Sequence, residues 1–167
     1  MRLLAKTSSC LWAIFGSCLF LLAISYFVEL VLNVKPCLLC LLQRYMFILI
    51  ALISLAALLA RVKAWGVYVS ATILTLCSIV GAALAGRQLY LQSLPDSLHR
   101  ACLPDMQYLV HAVGIFKALQ MMVAGSSDCS LVHWQFLGLS MAAWALIWFV
   151  ILALVALRIF FANRSSS

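Results

Sequence analysis

The chain has 167 residues, of which 67% are hydrophobic and 9% charged, with a formal net charge of +7. A soluble domain averages about 25% charged residues, so this composition excludes a water-covered globule, and the length fits one domain, residues 1–167. The eleven Lys and Arg are scattered between apolar runs, which excludes the basic stripe that nucleic-acid binding requires.

Arg2 and Lys6 precede an uncharged run, residues 7–28. As a helix that run reaches about 33 Å, enough for a hydrocarbon core of about 30 Å. A signal peptide also begins basic, but its apolar core is shorter, about 7–15 residues, and ends in small residues. Here large residues continue through Tyr26 and Phe27, so the run reads as a retained first span, about 9–31, with Glu29 at its far end. The connector Asn33-Val34-Lys35-Pro36 leads into a second span, about 37–60, uncharged from Tyr45 onward. Arg61-Val62-Lys63 is a tight basic turn, and a third span follows at about 64–86. Gly81 and Gly86 lie on it among Ala82, Ala83 and Ala85, and small residues let membrane helices approach closely.

From Arg87 the chain turns polar. Residues 87–133 hold three carboxylates, Pro95, Pro104, His99, His111 and His133, and form the one sizeable loop. Within it Leu109, Val113, Phe116 and Leu119/Gln120 recur at near-helical spacing, which predicts a short helix on the membrane surface or against the loop's own residues. The histidines lack metal-ligand spacing. Gly125-Ser126-Ser127-Asp128 is turn chemistry. A fourth span, about 134–157, carries Trp134, Phe136, Trp144, Trp148 and Phe149, with Trp134 placed for an interfacial belt. The predicted fold is an all-α membrane protein, a four-transmembrane-helix bundle with one large loop outside the cytoplasm.

Four spans put both termini on one side. That side holds Arg2, Lys6, Arg61, Lys63, Arg158 and Arg164 without a carboxylate. The other holds Lys35, Arg44, Arg87, Arg100 and Lys117 with Glu29, Asp96, Asp105 and Asp128. The tight basic turn and basic termini favour a cytoplasmic location for the first set. Cys37, Cys40, Cys102 and Cys129 then all lie outside the cytoplasm, in what would be an oxidising compartment, the periplasm, in a bacterial cell. The remaining cysteines, Cys10, Cys18 and Cys77, lie in uncharged apolar runs and read as small packing residues.

Cys37 and Cys40 are three residues apart just after Pro36, which suits the first turn of a helix. Cys-x-x-Cys occurs in zinc sites and in redox motifs. Its place at a helix start sharpens the redox reading, because the positive end of the helix dipole favours a thiolate. The dipole favours Cys37 as the more acidic thiol, whereas Arg44, on the same helix face one turn past Cys40, argues for Cys40; that contest stays open here. Arg44 stands inside a span, where a cation marks a functional site unless it snorkels to the headgroups. A lipid-soluble quinone, with carbonyls that gain charge on reduction, suits a cation beside a sulfur. Cys102 and Cys129 flank the polar loop. They are read as a structural disulfide, whose closure is worth roughly 3–4 kcal/mol of unfolded-state entropy, or as an exchangeable one. A zinc site of four cysteines is a further alternative.

The run PCLLCLLQR, the stretch GRQLYLQSLP, the single polar loop with two cysteines, and SSDCSLVHWQFLGLSMAAW together resemble the DsbB family, over nearly the whole chain and in order. That resemblance implies a quinone-dependent thiol oxidase that re-oxidises a DsbA-like periplasmic thioredoxin-fold protein, with ubiquinone or menaquinone as acceptor. It implies a Cys102–Cys129 disulfide attacked by the partner, with Cys102 in the mixed disulfide. Cys129 would pass the exchange to the Cys37–Cys40 disulfide, leaving Cys40 beside the quinone with Arg44. Gln88 and Gln92 occupy the stretch that approaches the quinone in the family. Gln88 stands where some relatives have histidine, and Gln43 where some have an acidic residue. The alternative function is a non-enzymatic membrane scaffold with a structural loop disulfide and a metal-binding or packing Cys-x-x-Cys.

Overall fold

The computed structural model describes residues 2–32, 37–60, 64–93, 114, 117, 120 and 135–164. Helices α1 (Arg2–Leu32), α2 (Leu38–Leu59) and α3 (Ala64–Gln92) come first, in that order. A two-stranded hairpin of β1 (Gln135–Phe136) and β2 (Leu139–Ser140) then leads into α4 (Met141–Arg164). All four helices contain stretches long and apolar enough to cross a membrane: Thr7–Val31, Leu39–Leu59, Trp65–Gln92 and Met141–Ala162. The predicted all-α, four-span architecture is the observed one, with the short hairpin added at the entry to α4.

The residues that meet inside the bundle recur every three or four positions. Leu11, Ile14 and Cys18 do so on α1, and Phe47, Ile50 and Ser54 on α2. Val67, Ala71, Leu74 and Ser78 do so on α3, and Phe149, Leu152, Ala156 and Ile159 on α4. That spacing keeps one narrow stripe of each helix facing its neighbours at a shallow crossing angle. The remaining faces are also apolar, with Trp12, Phe20, Phe27, Leu52, Leu76 and Leu154 outward, as lipid requires. Serine and threonine on the stripe bond their own helix: Ser54 Oγ donates to the Ala51 carbonyl at 2.9 Å and Ser78 Oγ to that of Leu74 at 2.8 Å. Helix α3 packs most extensively on α4, followed by α1 on α2 and α2 on α3, while α1 touches α4 only lightly.

Helix α1 begins at Arg2, ahead of the expected 9, and the ends of α3 and α4 also differ from the sequence expectation. Helix α3 does not stop near residue 86 but continues to Gln92, so residues 87–92 belong to the helix and not to the loop. Arg, Gln and Leu are good helix formers, and the onset of polarity at Arg87 marks where the apolar zone ends, not where the backbone changes. Helix α4 begins at Met141, later than the expected 134, and runs past 157 to Arg164. The aromatic run ahead of it is interrupted by a tight turn, in which Leu137 (φ 54°) and Gly138 (φ 77°) both take positive φ. That pair makes a type I′ hairpin turn, with Gln135 opposite Ser140 and Phe136 opposite Leu139. Ser140 then caps α4, its Oγ accepting from the Ala143 amide at 3.4 Å. Trp134 and most of the expected loop helix lie outside the described residues. Within that loop Lys117 and Gln120 are helical and exposed.

Of the two glycines expected to permit close approach, Gly81 is the one that does so. A β-carbon there would fall inside the contact distance of the Phe149 ring. That ring is fully buried and stacked on Phe47, with centroids 4.2 Å apart and planes 8° apart, so it has nowhere to move. A β-carbon at Gly86 would meet open space. Gly81→Ala is therefore expected to destabilise the bundle by about 1–3 kcal/mol in detergent unfolding. Gly86→Ala, measured in parallel, is expected to be neutral or stabilising by up to about 1 kcal/mol.

Candidate active site

Cys37 is the N-cap of α2, with extended backbone (φ −69°, ψ 163°). The helix thus starts at Leu38, and Pro36 lies outside the described residues. An N-cap side chain ordinarily offers oxygen to the first unbonded amides. Here sulfur does so: Cys37 Sγ accepts from the Cys40 amide at 3.4 Å. The Cys37 carbonyl accepts from the Leu41 amide at 3.1 Å and closes the first turn. The same turn brings the two sulfurs to 2.8 Å from each other. That is near enough for a small rotation to close a bond of about 2.05 Å. Cys37 has both the backbone amide and the helix N-terminus, which supports the dipole side of the contest between the two thiols.

Behind the sulfurs stands Gln88, on the turn of α3 beyond the expected end of that helix. Its Nε2 donates to Cys40 Sγ at 3.2 Å and to Cys37 Sγ at 3.5 Å. Its Oε1 accepts from Gln43 Nε2 at 2.8 Å. Both glutamines are buried, Gln43 at 5% and Gln88 at 4% exposure. The walls around the pair are Leu39, Leu42, Leu84 and Leu91. One side-chain amide thus donates to both sulfurs, among apolar neighbours.

Arg44 lies one turn beyond Cys40, but its guanidinium is engaged with α1. Nε donates to Ser25 Oγ at 2.8 Å and Nη2 to the Ser25 carbonyl at 3.2 Å, while Nη1 forms an ion pair with Glu29. The cation also sits over the Tyr26 ring, 4.8 Å from its centroid. These bonds use three of the five guanidinium N–H donors. The charge is met inside the protein and not by snorkelling alone. Gln92 Oε1 accepts from Ser140 Oγ at 2.9 Å and so anchors the cap of α4. Arg87, the cation of α3, lies over the Tyr90 ring, 5.4 Å from its centroid. Cys102 and Cys129 lie outside the described residues.

The structure therefore brings together Cys37, Cys40 and Gln88 and places Arg44 in the next turn. It puts Gln92 with Ser140. Sequence reasoning treated Gln43 only as a departure from a family pattern and missed that it bonds Gln88. It also missed the Glu29–Arg44 pair, although a signal was present. Glu29 is the sole carboxylate before Asp96, at the end of one span, and Arg44 is a cation inside the next. A double-mutant cycle of Glu29→Gln and Arg44→Gln, read by detergent unfolding, is expected to give a coupling above about 1 kcal/mol. An exposed pair would give about 0.2–1 kcal/mol.

A family model described as "Disulfide bond formation protein DsbB" matches residues 7–159. Proteins named "Disulfide bond formation protein B" are similar along most of their length. That of Marinobacter nauticus is 39% identical over 144 residues, covering 86% of each chain. That of Azoarcus sp. is 36% identical over 152 residues, covering 91% of each. That of Hahella chejuensis is 40% identical over 141 residues, covering 84% of this chain and 83% of its own. With a cysteine pair capping a membrane helix and a match of this extent, the chain belongs to the DsbB family of disulfide bond formation proteins.

Proposed function

We propose that the protein is a protein-dithiol:quinone oxidoreductase of the bacterial inner membrane that re-oxidises a DsbA-like periplasmic thioredoxin-fold partner. The observation that carries this reading is the pair of sulfurs 2.8 Å apart at a helix N-cap. One amide donates to both of them inside an apolar shell. Such a pair can close and open a disulfide without rearrangement of the helix that holds it.

The exchange has two thiol–disulfide steps. A thiolate of the partner attacks Cys102 of a Cys102–Cys129 disulfide, Cys129 leaves as thiolate, and the partner's second thiolate displaces Cys102. The partner is then oxidised and the loop reduced. Cys129 next attacks Cys37 of a Cys37–Cys40 disulfide, and Cys40 leaves as thiolate. Cys102 displaces Cys37, which restores the loop disulfide. Each step conserves electrons, since one disulfide forms for each one broken. The Cys40 amide and Gln88 Nε2 are placed to favour the negative charge that these steps put on Cys37 and Cys40.

Re-oxidation of the Cys37–Cys40 dithiol requires an acceptor, and the residues present suit ubiquinone or menaquinone. Leu39, Leu42, Leu84 and Leu91 supply an apolar surface beside half-buried Cys40. Arg44, with donors beyond those used on α1, supplies polar contacts for a carbonyl oxygen. A quinone held there would supply the acceptor for the two electrons and two protons that the Cys37–Cys40 dithiol gives up. Gln88 is close enough to the sulfurs to share such a site. Gln92 has its carbonyl oxygen committed to Ser140, which leaves its amide N–H groups for the same role. Both termini are assigned to the cytoplasm and the redox cysteines to the periplasm.

Purified protein with a reduced DsbA-like partner is expected to consume quinone absorbance. Cys40→Ser is expected to reduce that turnover by roughly a thousandfold or more, as loss of a reacting nucleophile does. Wild-type protein that consumes neither ubiquinone nor menaquinone overturns the reading. For orientation, a membrane-impermeant maleimide added to intact, reduced spheroplasts is expected to label Cys102. It is expected to spare a cysteine introduced by Ser166→Cys until the membrane is opened.

A further inference from the structure

We infer that Gln43 is a positioning residue that acts through Gln88, turning that side chain so that its NH2 group, and not its carbonyl, meets the two sulfurs. This rests on the reading of Cys37 and Cys40 as the exchanging pair and goes beyond it by assigning a residue that orients one of the donors to their sulfurs.

The argument is one of donors and acceptors. A glutamine amide carries donors on one side and an acceptor on the other. A hydrogen bond between Gln43 and Gln88 exists in either orientation of the two amides. In the observed one Gln43 Nε2 donates to Gln88 Oε1, and Gln88 Nε2 is thereby free to donate to Cys40 Sγ and Cys37 Sγ. In the reversed one Gln88 would spend its NH2 on Gln43 and turn oxygen lone pairs toward sulfur. Whenever either sulfur carries negative charge, only the observed orientation is attractive.

Among the described residues this amide meets little competition. Gln43 and Gln88 are buried, and the walls against the sulfurs, Leu39 and Leu42 from α2 and Leu84 and Leu91 from α3, do not titrate. The charged groups on the neighbouring elements have other commitments. Arg44 is paired with Glu29 on α1, and Arg87 lies over Tyr90. An acceptor-only side chain at position 43 would take the Gln88 NH2 and reverse the amide.

The test uses the reduced full-length protein in detergent, without quinone or partner, so that it reads the sulfurs independently of turnover. Iodoacetamide modification of Cys40 at neutral pH is followed by mass spectrometry of its peptide. Gln88→Met is expected to slow that modification roughly tenfold, the effect of removing a hydrogen bond to a charged group. Gln88→Asn, with its amide withdrawn by one methylene, is expected to slow it in the same direction and serves where the methionine variant does not fold. Gln43→Glu is expected to slow it roughly three- to tenfold through the reversed amide. In the Gln88→Met background Gln43→Glu is expected to have no further effect beyond about twofold, because there is no amide left to turn. Wild-type rates in both Gln88 variants overturn the inference. So does a Gln43→Glu effect of the same size with Gln88 absent, since position 43 would then act on sulfur directly. Failure of the oxidase assay with these rates as expected would sink the proposed reaction and leave the amide arrangement standing.

Discussion

Inside hydrocarbon a polar side chain finds no water, so it must find a partner in the protein. Three such partnerships tie this bundle together at one end. Arg44 with Ser25 and Glu29 joins α2 to α1. Gln43 with Gln88 joins α2 to α3, and Gln92 with Ser140 joins α3 to α4. Each link connects helices that are consecutive in the chain. Between apolar helices in lipid there is no hydrophobic force to fix one register over another. Directional bonds of this kind supply it, and the Gln43–Gln88 link reaches the turn that carries Cys37 and Cys40. Toward the other end the helices meet through the three-and-four-spaced stripe and the stacked pair Phe47 and Phe149.

The helix count was legible because the signal is physical and local. A run of about twenty uncharged apolar residues has few fates other than a membrane span. The cysteine pair was legible because its spacing and its place after Pro36 both say helix start. The Cys37–Cys40–Gln88 contact was only half legible. Gln88 was suspected from a family resemblance, but as a ligand for quinone and not as a donor to sulfur. Span length hides the rest: polarity at Arg87 reads as the end of α3, whereas the backbone continues through Gln92. That extension is what carries Gln88 and Gln92 to their partners. The start of α4 was misplaced for the opposite reason. Apolar residues 134–140 look like membrane helix by hydropathy, and the turn at Leu137 and Gly138 is set by backbone conformation that hydropathy does not encode. Pairings across helices, such as Glu29 with Arg44, depend on rotation of one helix against another, which no single-chain periodicity specifies.

The two families of groups around the sulfurs differ in kind. Arg44 brings a full charge, but Glu29 holds an opposite charge against it, and the field the pair projects toward Cys40 is that of a dipole. The Cys40 amide and the Gln88 amide bring partial charges at hydrogen-bond distance. In a medium of low dielectric, near dipoles of fixed direction compete well with a distant or compensated ion. They also require no desolvation of a charge when the sulfur changes state.

That distinction bears on how constant the site is. An imidazole beside the sulfurs would gain and lose a proton over roughly pH 5–8, and its help to a thiolate would follow. An amide does not titrate. Among the described residues, the donors that face Cys37 and Cys40 are a backbone amide and the Gln88 amide, with Gln43 as its partner, and neither gains or loses a proton near neutral pH. What remains variable is orientation, and that is set by which group faces the far side of the Gln88 amide. The control point of the sulfur pair is thus displaced from the cysteines themselves to a buried residue on the same helix, three positions after Cys40, whose side chain reaches the sulfurs only through its neighbour.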